Sequence, residues 1–336
     1  YRRTPEDNDA AVHKFEEAIS RCRTLVQQQN EGEDLLAQIY ANYGFFYSTT
    51  LAKPAESIKW YDQALEIQRR LVKKNEMYKG SLAMLLGNYA EAAEDAAMAI
   101  QVSGAQPYTL ADVSKPTFCH AEHGSVIWAN MIVESNGIVQ TGIINWPSHM
   151  SSLYTDGYTG VGTYRSICSS LYEQIPATDV RKGWWLNENL ESPLITNNAA
   201  YAPWAEYIED GMQYANVKFG VPNDNMTNLV ADADWTLMRY EEMLLVQAEG
   251  LARSGQVAQA KALLEGWVKA NRDANYVCKA SDEAGLVDEI WMQRRIELWG
   301  EGFAWFDLNR LHKPIIRTTS TNWPEAWVVD VPAGHP

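Results

Sequence analysis

A small–large–small pattern at helical spacing recurs along this chain, and it restricts the fold more than any other feature. Ala11-Val12, Phe15 and Ala18-Ile19 place small residues four and three positions either side of one aromatic ring. The pattern returns as Ser57-Ile58, Tyr61, Ala64-Leu65, and again as Ala92-Ala93, Ala96, Ala99-Ile100 after a Gly87-Asn88-Tyr89 turn. A fourth copy is Gly255-Gln256-Val257, Ala260, Leu264, Trp267. The first three copies start 46 and then 35 residues apart. Small residues at these spacings share a helix face that a neighbouring helix can approach closely, and the larger residue fills the gap beside it. That is the second helix of a tetratricopeptide-like pair. Ordinary amphipathic helices look similar, but the glycine turn ahead of two copies favours the repeat.

The middle of the chain has a different texture. Residues 103–234 are rich in Gly, Pro, Asn, Ser, Thr and aromatics, with short β-like stretches at Ser125-Val126-Ile127-Trp128 and Gly137-Ile138-Val139-Gln140. Helical periodicity returns from Trp235, with Leu237, Tyr240, Leu244, Ala248 and Leu251 in one stripe that should stop near Gly255. Further helices are predicted over about 257–271 and 286–299. The expected fold is mainly α: a tetratricopeptide-like helical repeat scaffold with a large irregular, loop-rich insertion. Three regions are predicted: N-terminal helices over 1–102, an insertion over 103–234 carrying the binding surface, and a helical block over 235–336 completing the scaffold.

Charge narrows the ligand. The chain carries 43 acidic and 28 basic residues, a formal net charge of −15. Such a surface repels phosphate backbones, which argues against nucleic acid and suits a neutral ligand. Thirteen Trp and seventeen Tyr are many for this length; core packing takes most of such rings, but flat rings can also cover the apolar face of a sugar. The uncharged stretch around Asn145, Trp146, His149, Tyr154 and Tyr158 is the candidate binding surface. Trp184-Trp185 is a second cluster; adjacent rings on an extended segment face opposite ways, so one of them, taken as Trp184, is expected to be exposed. Trp204, Trp323 and Trp327 are weaker candidates.

Catalytic and metal signatures are missing. Cys22, Cys119, Cys168 and Cys278 have no zinc or redox spacing. His120 and His123 flank Glu122, too few ligands for a metal site. Asp224, with Asn223 and Asn225, could give oxygen ligands to a structural calcium; no other cofactor is expected. The run Gly157-Tyr158-Thr159-Gly160-Val161-Gly162 lacks the Lys-Ser/Thr of a phosphate loop. Glu242 and Glu249 share a helix face with Arg239 nearby, but about 10 Å along a helix is too far for a glycosidase pair. The chain is therefore expected not to be an enzyme.

One buried charge can be anticipated. Arg294 lies on the apolar stripe of its helix and must be paired, with Glu297, Glu301 and Asp307 as candidate partners. Arg310, three residues after Asp307, can join them. Arg294, Glu297, Glu301, Asp307 and Arg310 are read as a structural ion-pair network.

The same segment carries a resemblance. Arg239-Tyr240-Glu241-Glu242-Met243-Leu244-Leu245 with Ala248-Glu249-Gly250, then Arg294-Arg295-Ile296-Glu297-Leu298, Gly300-Glu301-Gly302-Phe303 and Phe306-Asp307-Leu308-Asn309-Arg310, resemble the SusD/RagB family in order and spacing. Asp179-Val180-Arg181, Gly87-Asn88-Tyr89 and Ile127-Trp128 fit it too, so the resemblance covers about Lys79 to Lys313. It implies a lipid-anchored protein on the outer face of the outer membrane of Bacteroidetes. Such a protein would bind oligosaccharide, or peptide in some members, and deliver it to a SusC-like TonB-dependent transporter. The family's export signal and lipid-bearing cysteine are not in this sequence, which is expected to be a chain truncated at both ends. A tetratricopeptide protein–protein adaptor is the alternative, and a glycosidase the weakest reading.

Overall fold

The computed structural model describes residues 5–29, 32–49, 51, 53–74, 83–84, 87–133, 150–151, 153, 164–225, 232–316 and 326–327. The chain forms two compact units, Tyr1–Lys79 and Gly80–Pro336. Among the described residues no helix is long and apolar enough to cross a membrane.

The first unit holds helices α1 (Pro5–Gln29), α2 (Glu33–Thr49) and α3 (Pro54–Lys74), with α2 packed on both others. Its core joins Ile19 and Cys22 to Tyr40, Tyr43 and Phe46, and to Ala64 and Ile67. The small–large pattern sets the contacts. Phe15 stacks on Tyr43 with ring centroids 4.7 Å apart. In α3 the small residues Ser57 and Ala64 are buried, and the Tyr61 ring lies so close over Gly44 that a Cβ there would sit 3.1 Å from it. Ile58 and Leu65, beside the small residues in sequence, turn outward.

The second unit begins its helical packing with α4 (Tyr89–Ser103), ended by Gly104 in the left-handed conformation. Its face of Ala92, Ala93, Ala96 and Ala99 is fully buried. It packs on α5 (Tyr240–Arg253), which also contacts α6 (Val257–Asn271) and α7 (Glu283–Glu297). The approach of α4 to α5 is close enough to need a glycine. A Cβ on Gly250 would stand 2.5 Å from the Tyr89 carbonyl oxygen and 2.8 Å from the Ala93 nitrogen. This contact packs α4 onto the C-terminal helical block within the second unit. The scaffold is mainly helical, as expected.

The start of the C-terminal block also differs. Trp235–Arg239 is a strand, β2, antiparallel to β1 (Val126–Asn130), with Asn130 opposite Trp235 and Val126 opposite Arg239. The helix begins only at Tyr240, because pairing with β1 outweighs the helical spacing of Leu237. Helix α8 (Ala304–Arg310) and the short hairpin β3 (Ile315–Ile316) and β4 (Ala326–Trp327) follow.

The described part of the insertion packs around its own core. Trp184, Trp185, Trp204, Tyr201 and Leu186 are completely buried with Phe118, Phe219 and Ile296. Short helices and turns connect them, such as the 3-10 turn Val180–Trp184 capped by Asp179. The expectation that Trp184 faces solvent is therefore corrected. Its indole N–H donates to the Val113 carbonyl at 3.1 Å, and Phe118 meets its ring edge-on at 5.3 Å. The segment is not a two-sided strand, and both tryptophans are enclosed.

Candidate functional site

The polar centre of the second unit is a buried ion cluster around Glu297, in the last turn of α7. Its carboxylate accepts from Arg239 Nη1 at 2.8 Å, from Arg272 Nε and Nη2 at 2.9 Å each, and from Arg181 Nη1 at 3.3 Å. Glu241 links Arg239 (2.7 Å) and Arg272 (3.1 Å), and also accepts from the Tyr108 backbone N–H and the Ser125 hydroxyl. Asp179 and Gln293 hold Arg181. Glu301 joins through Arg239 at 2.9 Å and Lys218 at 2.5 Å. Burial opposes ionisation of Glu297, but Arg272, Arg239 and Arg181 outweigh it and hold the carboxyl well below its usual range. Burial pushes the Lys218 ammonium down to about 8 against the pull of Glu301.

Lys218 closes the cluster toward the insertion. Its ammonium donates to the carbonyls of Glu297 and Trp299 at 2.8 Å each and lies over the rings of Phe118, Trp184 and Phe219. The cluster thus ties the irregular segment to the helices.

A second cluster links α5, α7 and α8. Arg294 Nε donates to Asp307 at 2.8 Å, and Arg310 meets Asp307 at 2.7 Å. Arg310 also grips Glu249 with both terminal nitrogens, at 2.5 and 2.8 Å, and Arg253 donates to the same carboxylate at 2.9 Å. Burial works against Asp307 and Glu249, yet their guanidinium partners hold both below ordinary values. The five residues read from sequence as one network are all ion-paired, but in two clusters: Glu297 and Glu301 in the first, Arg294, Asp307 and Arg310 in the second.

Beside the second cluster lies a pocket of about 370 Å³. Strand β2 contributes Trp235, Thr236 and Leu237; α5 contributes Glu242 and Val246; Phe303, Phe306, Asp307 and Arg310 supply one face of the C-terminal turn and α8. Met84, Arg294, Glu301 and Gly302 complete the wall. Arg294 lies under the Phe303 ring, its Cζ 5.9 Å from the centroid. Two polar atoms of this wall, Arg294 Nη1 and Thr236 Oγ1, are buried without a hydrogen-bond partner among the described residues. Each such group costs roughly 1–3 kcal/mol until something satisfies it. An apolar cavity with a few convergent polar atoms is the usual form of a small-molecule site.

The aromatic surface expected from sequence, Asn145, Trp146, His149, Tyr154 and Tyr158, lies outside the described residues, as do Trp323, 137–140 and 157–162. Trp204 is buried, and Trp327 lies in β4. His123 stacks on Tyr108 at 3.7 Å and faces Asp112 at 3.6 Å, while His120 is exposed. The Asp224 carboxylate accepts from the Tyr201 hydroxyl at 2.7 Å and lies 3.8 Å from Lys115. Among the described residues no three His, Cys, Asp or Glu come together to hold a metal.

Comparison with known families decides the kinship of this arrangement. The model of the SusD family matches residues 151–325, just over half of the chain. The chain belongs to the SusD family. A curated SusD-like protein of Formosa agariphila is 32% identical over 99 residues, 27% of this chain and 20% of that protein. The chain thus spans about a fifth of that relative's length. A SusD-like carbohydrate-binding protein from Bacteroides vulgatus shares the fold with a TM-score of 0.57 at 17% identity, over 93% of this chain and 71% of its own. Surface glycan-binding protein A from Bacteroides thetaiotaomicron aligns with a TM-score of 0.50 at 16% identity, over 89% and 74%. The ion clusters fall largely on the SusD family match. Sequence reasoning did not join Asp179, Arg181, Lys218, Arg239, Glu241, Glu249, Arg253 and Arg272 to them; of these Lys218, Arg253 and Arg272 stood in no noted motif, while the others lay in the quoted segments.

Proposed function

We propose that this chain binds oligosaccharide at the outer face of the bacterial outer membrane and delivers it to a SusC-like TonB-dependent transporter. Membership of the SusD family carries this reading. Relatives of the same fold are named as carbohydrate- and glycan-binding proteins. In this setting the membrane is reached through a lipid anchor. The protein works by binding, without catalysis. A glycosidase needs one carboxyl kept protonated near neutral pH as general acid. Asp307 and Glu301, which line the pocket, are driven the other way: burial raises them, but Arg294 and Arg310 around Asp307, and Arg239 and Lys218 around Glu301, more than reverse it.

A glycan-array screen followed by calorimetry tests the proposal, with the protein carrying Trp146→Ala alongside. Saturable sugar binding without product release is the expected result. Its loss in the variant would add the uncharged 145–158 stretch to the binding surface. Sugar binding to no array member, or release of reducing ends on prolonged incubation, would refute the receptor reading.

A further inference from the structure

We propose that the pocket between β2, α5 and α8 is a second ligand site, which takes one neutral sugar unit. The proposal rests on the glycan-binding reading for its ligand class and on the pocket's own chemistry for the rest. Its volume of about 370 Å³ stands at the small end of the range for ligand sites, roughly 300–1,000 Å³, and has room for a single sugar ring.

Three features select the ligand. Trp235, Phe303 and Phe306 set three aromatic rings in the wall, suited to the C–H face of a pyranose. Arg294 Nη1 provides a donor, and Thr236 Oγ1 a donor or acceptor, both buried and both without a partner among the described residues. Arg294 is 5% exposed and its Nε is already committed to Asp307, so the guanidinium is held in place with its other edge free to bond. A ring hydroxyl or an N-acyl carbonyl accepts from it. The charges of the wall are already matched: Arg294 and Arg310 pair with Asp307, and Glu301 pairs with Arg239 and Lys218. A uronate would bring a carboxylate that no unpaired cation of this wall is left to meet. The site opens beside Phe306, which is 59% exposed.

Met84 lines the same cavity, and its ε-methyl group reports on it directly. The experiment titrates protein labelled with 13C-methyl methionine with the methyl glycosides of glucose, galactose, mannose and N-acetylglucosamine, and with methyl glucuronide. The Met84 signal is expected to move saturably with at least one neutral glycoside, and roughly tenfold more weakly with the glucuronide. Thr236→Val and Phe306→Ala should each weaken the effective neutral glycoside by roughly tenfold. Both variants should fold, since Thr236 loses only an unbonded hydroxyl and Phe306 is largely exposed. A Met84 signal that no neutral glycoside moves, as when ordered water alone satisfies Arg294, overturns the proposal. So does a response unchanged in both variants, or one strongest with the glucuronide. The array result is read apart from this one. An array ligand that leaves Met84 unmoved sinks the pocket and keeps the receptor; a Met84 response without any array ligand does the reverse; silence in both sinks both.

Discussion

Replacing Glu297 by Gln is the sharpest test of how this fold is held. The change keeps the shape and removes one charge. Glu297 accepts four hydrogen bonds from three guanidiniums, two on each carboxylate oxygen. The amide keeps one oxygen and turns an NH2 group toward the donors of the other, so two charge-assisted bonds are lost, at about 1.5–3 kcal/mol each. The charge count points the same way. Arg181, Arg239, Arg272 and Lys218 stand against Asp179, Glu241, Glu297 and Glu301, and the substitution leaves one buried cation uncompensated. Breaking a buried pair from one side typically costs about 3–5 kcal/mol, and that is the expected loss. With a urea slope of about 3 kcal/mol per molar, the midpoint should fall by roughly 1–1.7 M. Tryptophan fluorescence can follow it, because Arg181 and Arg272 both lie over the Trp267 ring. The exposed Glu188→Gln serves as control and should stay within about 0.5 kcal/mol of the parent. A Glu297→Gln midpoint within the error of that control would refute the claim that the cluster holds the unit together.

Three further outcomes are expected. Gly250→Ala should destabilise the second unit by about 1–3 kcal/mol in urea, because the new methyl meets the Tyr89 carbonyl and the Ala93 nitrogen; an unchanged midpoint would mean the helices part without cost. Glu297, Glu301, Asp307 and Glu249 all have folded pKa values below their ordinary ones, so their contribution is complete above about pH 4.5 and is lost as pH falls through the lower folded values. The urea midpoint should therefore stay level from pH 7 to about 5 and drop steeply below, and a profile flat down to pH 3 would contradict the ion-pair account. Trp184→Phe should lower stability by about 1–3 kcal/mol, through the lost Val113 bond and lost volume, while leaving sugar affinity measured by calorimetry unchanged.

What the sequence disclosed depended on how local each feature was. The buried Arg294 was readable because a charge on an apolar helical stripe needs a partner, and Asp307 stood thirteen residues away within reach. Glu297, only one helical turn past Arg294, pairs instead with arginines 25, 58 and 116 residues distant. No spacing rule links such positions; only the assembled fold does. Trp184 was misread because alternation presumes one wet face, and the 3-10 turn that holds it is enclosed on every side. Trp235–Arg239 continued a helical stripe and yet paired with β1, a case of tertiary contact overriding local period. The pocket itself is assembled from β2, α5, α7, α8 and Met84, pieces that no single motif spans.

The distribution of charge connects scaffold and function. Among the described residues the buried charged side chains number five basic and seven acidic, so the interior is close to neutral. The whole chain carries a formal −15. Among these residues the buried side chains carry a surplus of only two acids, so the clusters that fix the fold hold little of the chain's negative charge. A net charge of that sign repels polyanions at a distance, while the buried charges of the two clusters are spent on one another. The proposed sugar ligand would then be recognised by aromatic rings and neutral hydrogen bonding. A neutral glycan should thus bind with little dependence on salt, because no counterions are displaced. Affinity that falls steeply between 50 and 500 mM salt would show that exposed charges, and not rings and hydroxyl contacts, do the recognising.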